Sequence, residues 1–235
     1  MKVLFARFTR TRRPEYQIET GIVERRGTRL VYKKALTPAA SVHLDNIFEN
    51  YSRYRETITD VNVSLVEPQR EGSLIVFPFI WANPIEYTLL KALKDRDKMR
   101  FMNVFLDYLK FLRNSFETVR WTEPSPEFVR QFGDVDLHGE LTCQRISNID
   151  LNLGNVFRDE SDSYVIADYE WVYPFPIPID FIAYRAINAF IVKYQAYLMS
   201  DFLDKRALYN IANIDDARYA QFLRMESTFQ EHVHG

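Results

Sequence analysis

The sequence has few of the residues that build disulfide or metal centres. Of its 235 residues one is a cysteine, Cys143, and four are histidines, two of which stand in the last four positions. An intramolecular disulfide framework and a cysteine-rich zinc site are therefore excluded, and a histidine-built metal centre is not expected. The start of the chain lacks the apolar core of a signal peptide. The longest apolar stretch, 176–199, contains three charged residues, so we expect a buried helix over 179–199 and a cytoplasmic protein.

Glycine is also scarce, with seven residues and none before Gly21. Basic residues are instead concentrated at the start of the chain. Residues 1–34 hold ten Lys and Arg against three Glu, a net charge of +7, while 35–235 hold twenty against twenty-nine acids, a net charge of −9. This asymmetry indicates that the first part meets an anion, with a solvated basic face as the alternative. Exposed aromatic residues are not interleaved with the basic ones, so no nucleic-acid partner is expected.

What is present is the composition of a folded protein, 47% hydrophobic and 26% charged. Five runs predict strands, and Thr37-Pro38 predicts the start of a helix between the third and the fourth. The predicted strands are 3–8, 16–24, 29–36, 61–67 and 73–79. Beyond residue 85 the pattern becomes helical, with apolar residues at steps of three and four from Met102 to Phe116. We therefore predict an α+β protein with two lobes: 1–82 forms an antiparallel five-stranded sheet with one helix, and 83–235 forms a helical lobe.

Three polar residues of the second lobe stand at informative spacings. Asp150 and Asn155 are five residues apart, and Asp168 follows thirteen residues later at the end of an apolar run. This D-x-x-x-x-N…D pattern resembles the catalytic pattern of kinases, in the form used by the aminoglycoside-phosphotransferase branch. Phosphoryl transfer needs a carboxylate beside the acceptor hydroxyl and hard oxygen ligands for Mg²⁺. We predict Asp150 as the catalytic residue, Asn155 and Asp168 as metal ligands, ATP and Mg²⁺ as cofactors, and a bilobal protein-kinase-like fold.

A kinase also needs a lysine on its third strand to hold the α- and β-phosphates of ATP. Lys33 and Lys34 are the candidates, and strand alternation places them on opposite faces of the sheet. The V-x-K form of kinases favours Lys33. We expect an acid on the first helix to pair with this lysine, and favour Glu49 over Asp45, one turn earlier, because its side chain is longer. At the end of the fifth strand, the carbonyl of Pro78 and the N–H of Ile80 are expected to contact adenine.

The glycine-rich loop of kinases is missing, and 10–15, with the sequence RTRRPE, stands in its place. We expect Arg12 and Arg13 to hold the phosphates of ATP by charge, with an anionic acceptor or a lipid as the alternative ligand. Only eleven residues separate Asp168 from Asp180, too few for the activation segment of a regulated protein kinase. Asp180 is expected to be structural, at the start of the buried helix and bonded back to the catalytic loop.

The stretch 168–186, DYEWVYPFPIPIDFIAYRA, resembles kinase modules of bacterial surface-polysaccharide proteins, including O-antigen chain-terminating methyltransferase–kinases. The segments 12–17, 33–38 and 225–230 are similar to the same modules, and the resemblance covers essentially the whole chain. It implies ATP-dependent phosphorylation of a sugar hydroxyl at the non-reducing end of a lipid-linked glycan, which terminates chain growth. It also implies a glycosyltransferase or methyltransferase partner and peripheral contact with the inner face of the inner membrane.

Two other hypotheses stay open. A pseudokinase is favoured by the missing glycine loop and by Asn148, which stands where kinases carry His or Arg, whereas retention of Asp150, Asn155 and Asp168 favours activity. A small-molecule kinase of the aminoglycoside or choline type is the other alternative, although the part after the catalytic loop is short for a closed pocket. The chain has no room for a methyltransferase domain, so it is expected to be a standalone kinase or one domain of a larger protein.

Overall fold

The computed structural model describes residues 2–198 and 202–235. The elements of the first lobe are β1 (Lys2–Phe8), β2 (Ile18–Arg25), β3 (Thr28–Ala35), α1 (Ser41–Arg55), β4 (Val63–Leu65), β5 (Gln69–Glu71) and β6 (Leu74–Pro78). Those of the second lobe are α2 (Ile85–Lys94), α3 (Lys98–Asn114), β7 (Thr118–Arg120), α4 (Pro126–Phe132), β8 (Thr142–Gln144), β9 (Ser147–Asn148), β10 (Val156–Arg158), β11 (Tyr164–Ile166), β12 (Val172–Tyr173), β13 (Ile177–Pro178), α5 (Ile179–Tyr194), α6 (Lys205–Ile211) and α7 (Asp216–His234).

The first lobe is built on a five-stranded antiparallel sheet in the order β1-β2-β3-β6-β5. β2 and β3 join through a tight turn at Arg26 and Gly27, whose φ angles of 51° and 80° suit a two-residue hairpin. α1 packs against this sheet, and the second lobe is mostly helical. The predicted α+β class and the predicted arrangement, a sheet lobe with one helix and a helical lobe, are confirmed.

One of the five predicted strands lies outside this sheet. The run 61–67 contributes β4, which pairs in parallel with β11 of the second lobe. The edge of the sheet is formed by β5 instead, which pairs with β6. β5 lies within 68–72, the segment between the predicted strands 61–67 and 73–79. Val63 and Leu65 are buried in the core that joins the two lobes, whereas β5 is polar and lies at an open edge. The prediction placed 61–67 in the sheet because this run is apolar, whereas the polar strand β5 forms the edge of the sheet.

The segment that carries Asp168 is fixed through its neighbour Tyr169. The ring of Tyr169 is fully buried, with the ring of Phe77 at a centroid distance of 6.1 Å. Its hydroxyl donates a hydrogen bond of 2.9 Å to the carbonyl of Val66. Because this side chain is enclosed by the first lobe, Asp168 and Glu170 on either side of it have set positions in the cleft between the lobes.

The helix predicted over 179–199 corresponds to α5, which ends at Tyr194, and residue 199 lies outside the described residues. α5 is buried along most of its length because apolar residues occupy several of its faces. Within the described ranges, no helix has the length and apolar character needed to cross a membrane.

Candidate active site

A cavity of about 520 Å³ lies between the five-stranded sheet and the second lobe. One end is apolar and is lined by Ile22, Val31, Phe77, Pro78, Ile80 and Phe157, among others. The other end is polar and is lined by Lys33, Asn155 and Asp168. A volume of this size suits a small ligand, and the division into an apolar and a charged end suits one with a ring at one end and charge at the other.

Lys33 lies at the polar end and is buried. Its ammonium donates hydrogen bonds of 2.7 and 2.9 Å to the two carboxylate oxygens of Asp168 and lies 3.3 Å from Glu170 Oε2. Burial by itself would lower the pKa of Lys33, but the two carboxylates outweigh it and raise the pKa. Lys34 is exposed on the opposite face of β3 and lines a separate groove with Arg70. Of the two candidate lysines, the structure brings Lys33 alone into the cavity.

The expected ion pair between Lys33 and Glu49 is absent from the described residues. Glu49 is exposed, and it lies two residues beyond the buried Ile47, which is more than half a turn around α1. The inward face of α1 instead carries the buried polar residues His43 and Asn50. Asn50 Nδ2 donates to the carbonyl of Tyr169 at 3.0 Å, so this face of the helix holds the 169–170 segment.

Glu170 occupies the place expected for Glu49. Its carboxylate is buried, pairs with Lys33, lies 3.0 Å from His43 Nε2 and pairs with the guanidinium of Arg12. Burial alone would raise the pKa of Glu170, but Lys33 foremost, with His43 and Arg12, holds that pKa well below its usual value. The sequence offered a signal for this site, because His43 and Asn50 are polar residues on the apolar stripe of α1.

The arginine-rich turn does not line the cavity. Arg12 is held by Glu170, and its guanidinium carbon lies 5.8 Å from the ring centroid of Trp171. Arg13 faces the end of α7, where its backbone N–H donates to the carbonyl of Val233 at 2.8 Å. The structure therefore does not bring Arg12 and Arg13 to the expected phosphate position, because both are bound to other parts of the protein.

The loop that follows β9 and carries Asp150 and Asn155 is held by its own hydrogen bonds. The backbone N–H of Asp150 donates to Asn148 Oδ1 at 2.9 Å, and Asn155 Nδ2 donates to the carbonyl of Asp150 at 3.0 Å. Asn148 Nδ2 also donates to the carbonyl of Asp168 at 3.2 Å. Asn148, which is fully buried, thus joins this loop to the segment that carries Asp168. The sequence singled out Asn148 only as a departure from the His or Arg that kinases carry two residues before Asp150, and did not indicate this bridging role.

Asp150 lies beside this network, and its Oδ2 accepts a hydrogen bond of 3.0 Å from the N–H of Trp171. Burial raises the pKa of Asp150 to about 7, and the carboxylates of Asp168 and Glu170 act in the same direction. A carboxylate with a pKa near neutrality is suited to accept a proton from a hydroxyl group. Arg185 of α5 also contacts this loop, because its guanidinium donates a hydrogen bond of 3.3 Å to the carbonyl of Ile149.

Asp180 lies in the first turn of α5, as expected, but its ionic partner is Arg218 of α7 at 3.1 Å. The expected bond from Asp180 to the catalytic loop is absent from the described residues. Arg185, five residues further along α5, makes that contact instead. Asp180 therefore joins two helices of the second lobe.

The polar end of the cavity fits a magnesium ion. Asp168 and Asn155 offer carboxylate and amide oxygens, which are the hard donors that Mg²⁺ prefers. Both Asp168 oxygens accept hydrogen bonds from the Lys33 ammonium, so this carboxylate already faces a positive charge. The described residues contain no cluster of three or more His, Cys, Asp or Glu that could hold a metal ion.

No family model matches this chain, and neither does any curated protein. Among solved structures, the apoenzyme of macrolide 2'-phosphotransferase MphH from Brachybacterium faecium matches with a TM-score of 0.40 and 10% sequence identity. The match covers 94% of this chain and 82% of that one. At this level of similarity nothing about activity transfers to this chain, and the chemistry proposed below rests on its own residues.

Proposed function

We propose that this chain is a kinase that uses ATP and Mg²⁺ to phosphorylate a hydroxyl group of a carbohydrate acceptor. The observation that carries the proposal is the convergence of Lys33, Asn155 and Asp168 at the polar end of one cavity. Lys33 and Asp168 are 135 residues apart in the chain, and their contact is made by the fold alone. Asp150 lies on the loop that ends at Asn155 and is joined to it by a hydrogen bond.

In this proposal the adenine ring lies at the apolar end of the cavity, between Val31 and Phe77 of the sheet and Phe157 of the second lobe. Pro78 and Ile80 border the same end and would offer a backbone carbonyl and an N–H to the ring. The phosphates then extend to Lys33. Mg²⁺ held by Asp168 and Asn155 would neutralise charge on the phosphates.

The transfer step uses Asp150 as the base. Its carboxylate accepts the proton of the acceptor hydroxyl while the hydroxyl oxygen bonds to the γ-phosphorus and the bond to the β,γ-bridging oxygen breaks, which releases ADP. Lys33 holds the α- and β-phosphates in line for this displacement. Because Lys33 also contacts Glu170, it keeps a negative partner when its ammonium turns from Asp168 to a phosphate. Asn148 fixes the position of Asp150 relative to Asp168, because its side chain is hydrogen-bonded to the backbone of both residues.

The carbohydrate acceptor is supported by the resemblance of 168–186 to polysaccharide kinase modules, and not by a feature of the cavity. On the same basis we propose a sugar hydroxyl at the non-reducing end of a lipid-linked bacterial glycan, whose phosphorylation terminates chain growth. A glycosyltransferase or methyltransferase of polysaccharide synthesis would then be the partner, at the inner face of the inner membrane.

The proposal is tested by incubating the protein with ATP, Mg²⁺ and short mannose- and rhamnose-type oligosaccharides, with an aminoglycoside and choline in parallel. Mass spectrometry is expected to show one phosphoryl group added to an oligosaccharide. Asp150→Asn is expected to reduce this product by about a hundredfold or more, and Asp134→Asn, which changes an exposed acid, to retain it. Product from the aminoglycoside or choline alone would favour the small-molecule kinase. ATP binding without transfer to any acceptor would favour the pseudokinase, and absence of ATP binding would refute the proposal.

A further inference from the structure

A nucleotide in the cavity has few partners for its phosphates on the sheet side. Glycine is absent from the turn between β1 and β2, and the structure holds Arg12 and Arg13 elsewhere. The ammonium of Lys33 is thus the one cation that the sheet places at the cavity wall, among the described residues. ATP carries several negative charges along its phosphate chain. A second cationic side chain on the sheet side would therefore form charge-assisted hydrogen bonds with the phosphates.

The register of β1, β2 and β3 places an arginine in line with Lys33. Arg7 of β1 stands opposite Thr20 of β2, and Thr20 stands opposite Lys33 of β3. Residues directly opposite each other in antiparallel strands project from the same face of the sheet. Because Thr20 and Lys33 both line the cavity, Arg7 belongs to the face that covers it.

A neighbouring row on the same face confirms this assignment of sides. Phe5 stands opposite Ile22, which stands opposite Val31, and all three line the cavity. Arg7 follows Phe5 by two residues, so the two side chains project from the same side of β1. This face of the sheet therefore carries an apolar row and, beside it, a polar row of Arg7, Thr20 and Lys33, of which Thr20 and Lys33 line the cavity and Arg7 lies next to its wall.

Arg7 is also free to bind a ligand. Its side chain is exposed, and it has no hydrogen-bond or ion-pair partner among residues 2–198 and 202–235. By contrast, Arg12 is bound to Glu170 and Arg25 to Glu71. With adjacent strands about 4.8 Å apart, the backbones of Arg7 and Lys33 are separated by about 10 Å, and a phosphate group fits between their side chains.

We propose that Arg7 binds the phosphate chain of the nucleotide from β1, with Thr20 beside it, in place of the backbone amides of a glycine-rich loop. Arg7 donates to phosphate oxygens on the side away from Lys33, and Thr20 offers its hydroxyl between them. This inference rests on the proposed function, because it assumes that the cavity binds ATP. It assigns the phosphate contact to Arg7 and leaves Arg12 and Arg13 as residues that hold the β1–β2 turn in place.

The test compares the nucleotide affinity of the wild-type chain with that of Arg7→Gln. Affinities for ATP and for adenosine are measured by titration at two salt concentrations. We expect Arg7→Gln to weaken ATP binding about tenfold or more and to leave adenosine binding unchanged, because adenosine lacks the phosphates. We also expect the affinity of the variant for ATP to fall less steeply with salt, because one screened charge contact has been lost.

Lys34→Gln is the matched control. It removes one positive charge from the same sheet, at an exposed position on the face away from the cavity. Its affinity for ATP is expected to equal that of the wild type. If Arg7→Gln binds ATP as tightly as the wild type does, or loses ATP and adenosine binding equally, the inference is overturned while the kinase proposal stands. If the wild type binds adenosine but gains nothing from the phosphates of ATP, both are overturned.

Discussion

Replacement of Glu170 by Gln tests the most unusual feature of the site. The side chain of Glu170 is 7% exposed and faces Lys33, His43 and Arg12. Glu170→Gln keeps the volume and removes the charge. Removal of one partner from a buried ion pair costs about 3–5 kcal/mol, because the remaining charge stays desolvated. Here Lys33 keeps Asp168 as a partner and Arg12 is 19% exposed, so we expect the lower end, about 3 kcal/mol.

The assay is thermal unfolding followed by circular dichroism. For a chain of this size each kcal/mol lowers Tm by about 2–4 °C, so a loss of about 6–12 °C is expected for Glu170→Gln. Glu71→Gln is the matched control, because Glu71 also pairs with an arginine, Arg25, but these two side chains are 35% and 44% exposed. Its Tm is expected to change by a small fraction of that amount.

The pH dependence of this difference has a definite sign. Because the folded protein lowers the pKa of Glu170, its stabilisation is fully present above the pKa of an unfolded glutamate, about 4.3. It is lost as the pH falls below that value. The Tm difference between wild type and Glu170→Gln should therefore be constant near neutral pH and shrink in acid. A Tm within 1–2 °C of wild type at about pH 7, where one kcal/mol corresponds to about 2–4 °C, would refute the stabilising role of Glu170.

Three further predictions concern the proposed metal ligand, the proposed base and the sheet. Asp168→Asn is expected to remove the Mg²⁺-dependent part of the thermal stabilisation by ATP, because a carboxylate ligand is lost; equal stabilisation of variant and wild type would rule out Asp168 as a ligand. Asp150→Asn is expected to lower turnover about 10²–10⁴-fold while ATP affinity stays near that of wild type, and a parallel loss of affinity would indicate a structural role. Gly21→Ala is expected to lower Tm, because a Cβ there would lie 2.4 Å from a ring carbon of Tyr32. Adding Tyr32→Val should restore part of the lost stability. An unchanged Tm for Gly21→Ala would contradict the close packing of these two residues.

Local sequence patterns determined the parts of the site that depend on neighbours in the chain. The spacing of Asp150, Asn155 and Asp168 placed all three on one loop and the hairpin that follows it, and the structure brings Asn155 and Asp168 to the same cavity. Strand alternation separated Lys33 from Lys34, because successive side chains of a strand point to opposite faces. These features depend on backbone geometry over a few residues, so they can be predicted without knowledge of the rest of the fold.

The tertiary structure decided which distant residues became partners. Glu170, and not Glu49, pairs with Lys33 from 137 residues away, because the inward face of α1 carries His43 and Asn50. β4 pairs with β11 and lies outside the predicted sheet, because its apolar residues are buried where the lobes meet. Arg12 became an internal partner of Glu170, although it stands where a phosphate-binding loop was expected. Such choices depend on burial and charge compensation between segments that local patterns treat separately, so the physical determinant is the packing of the whole chain.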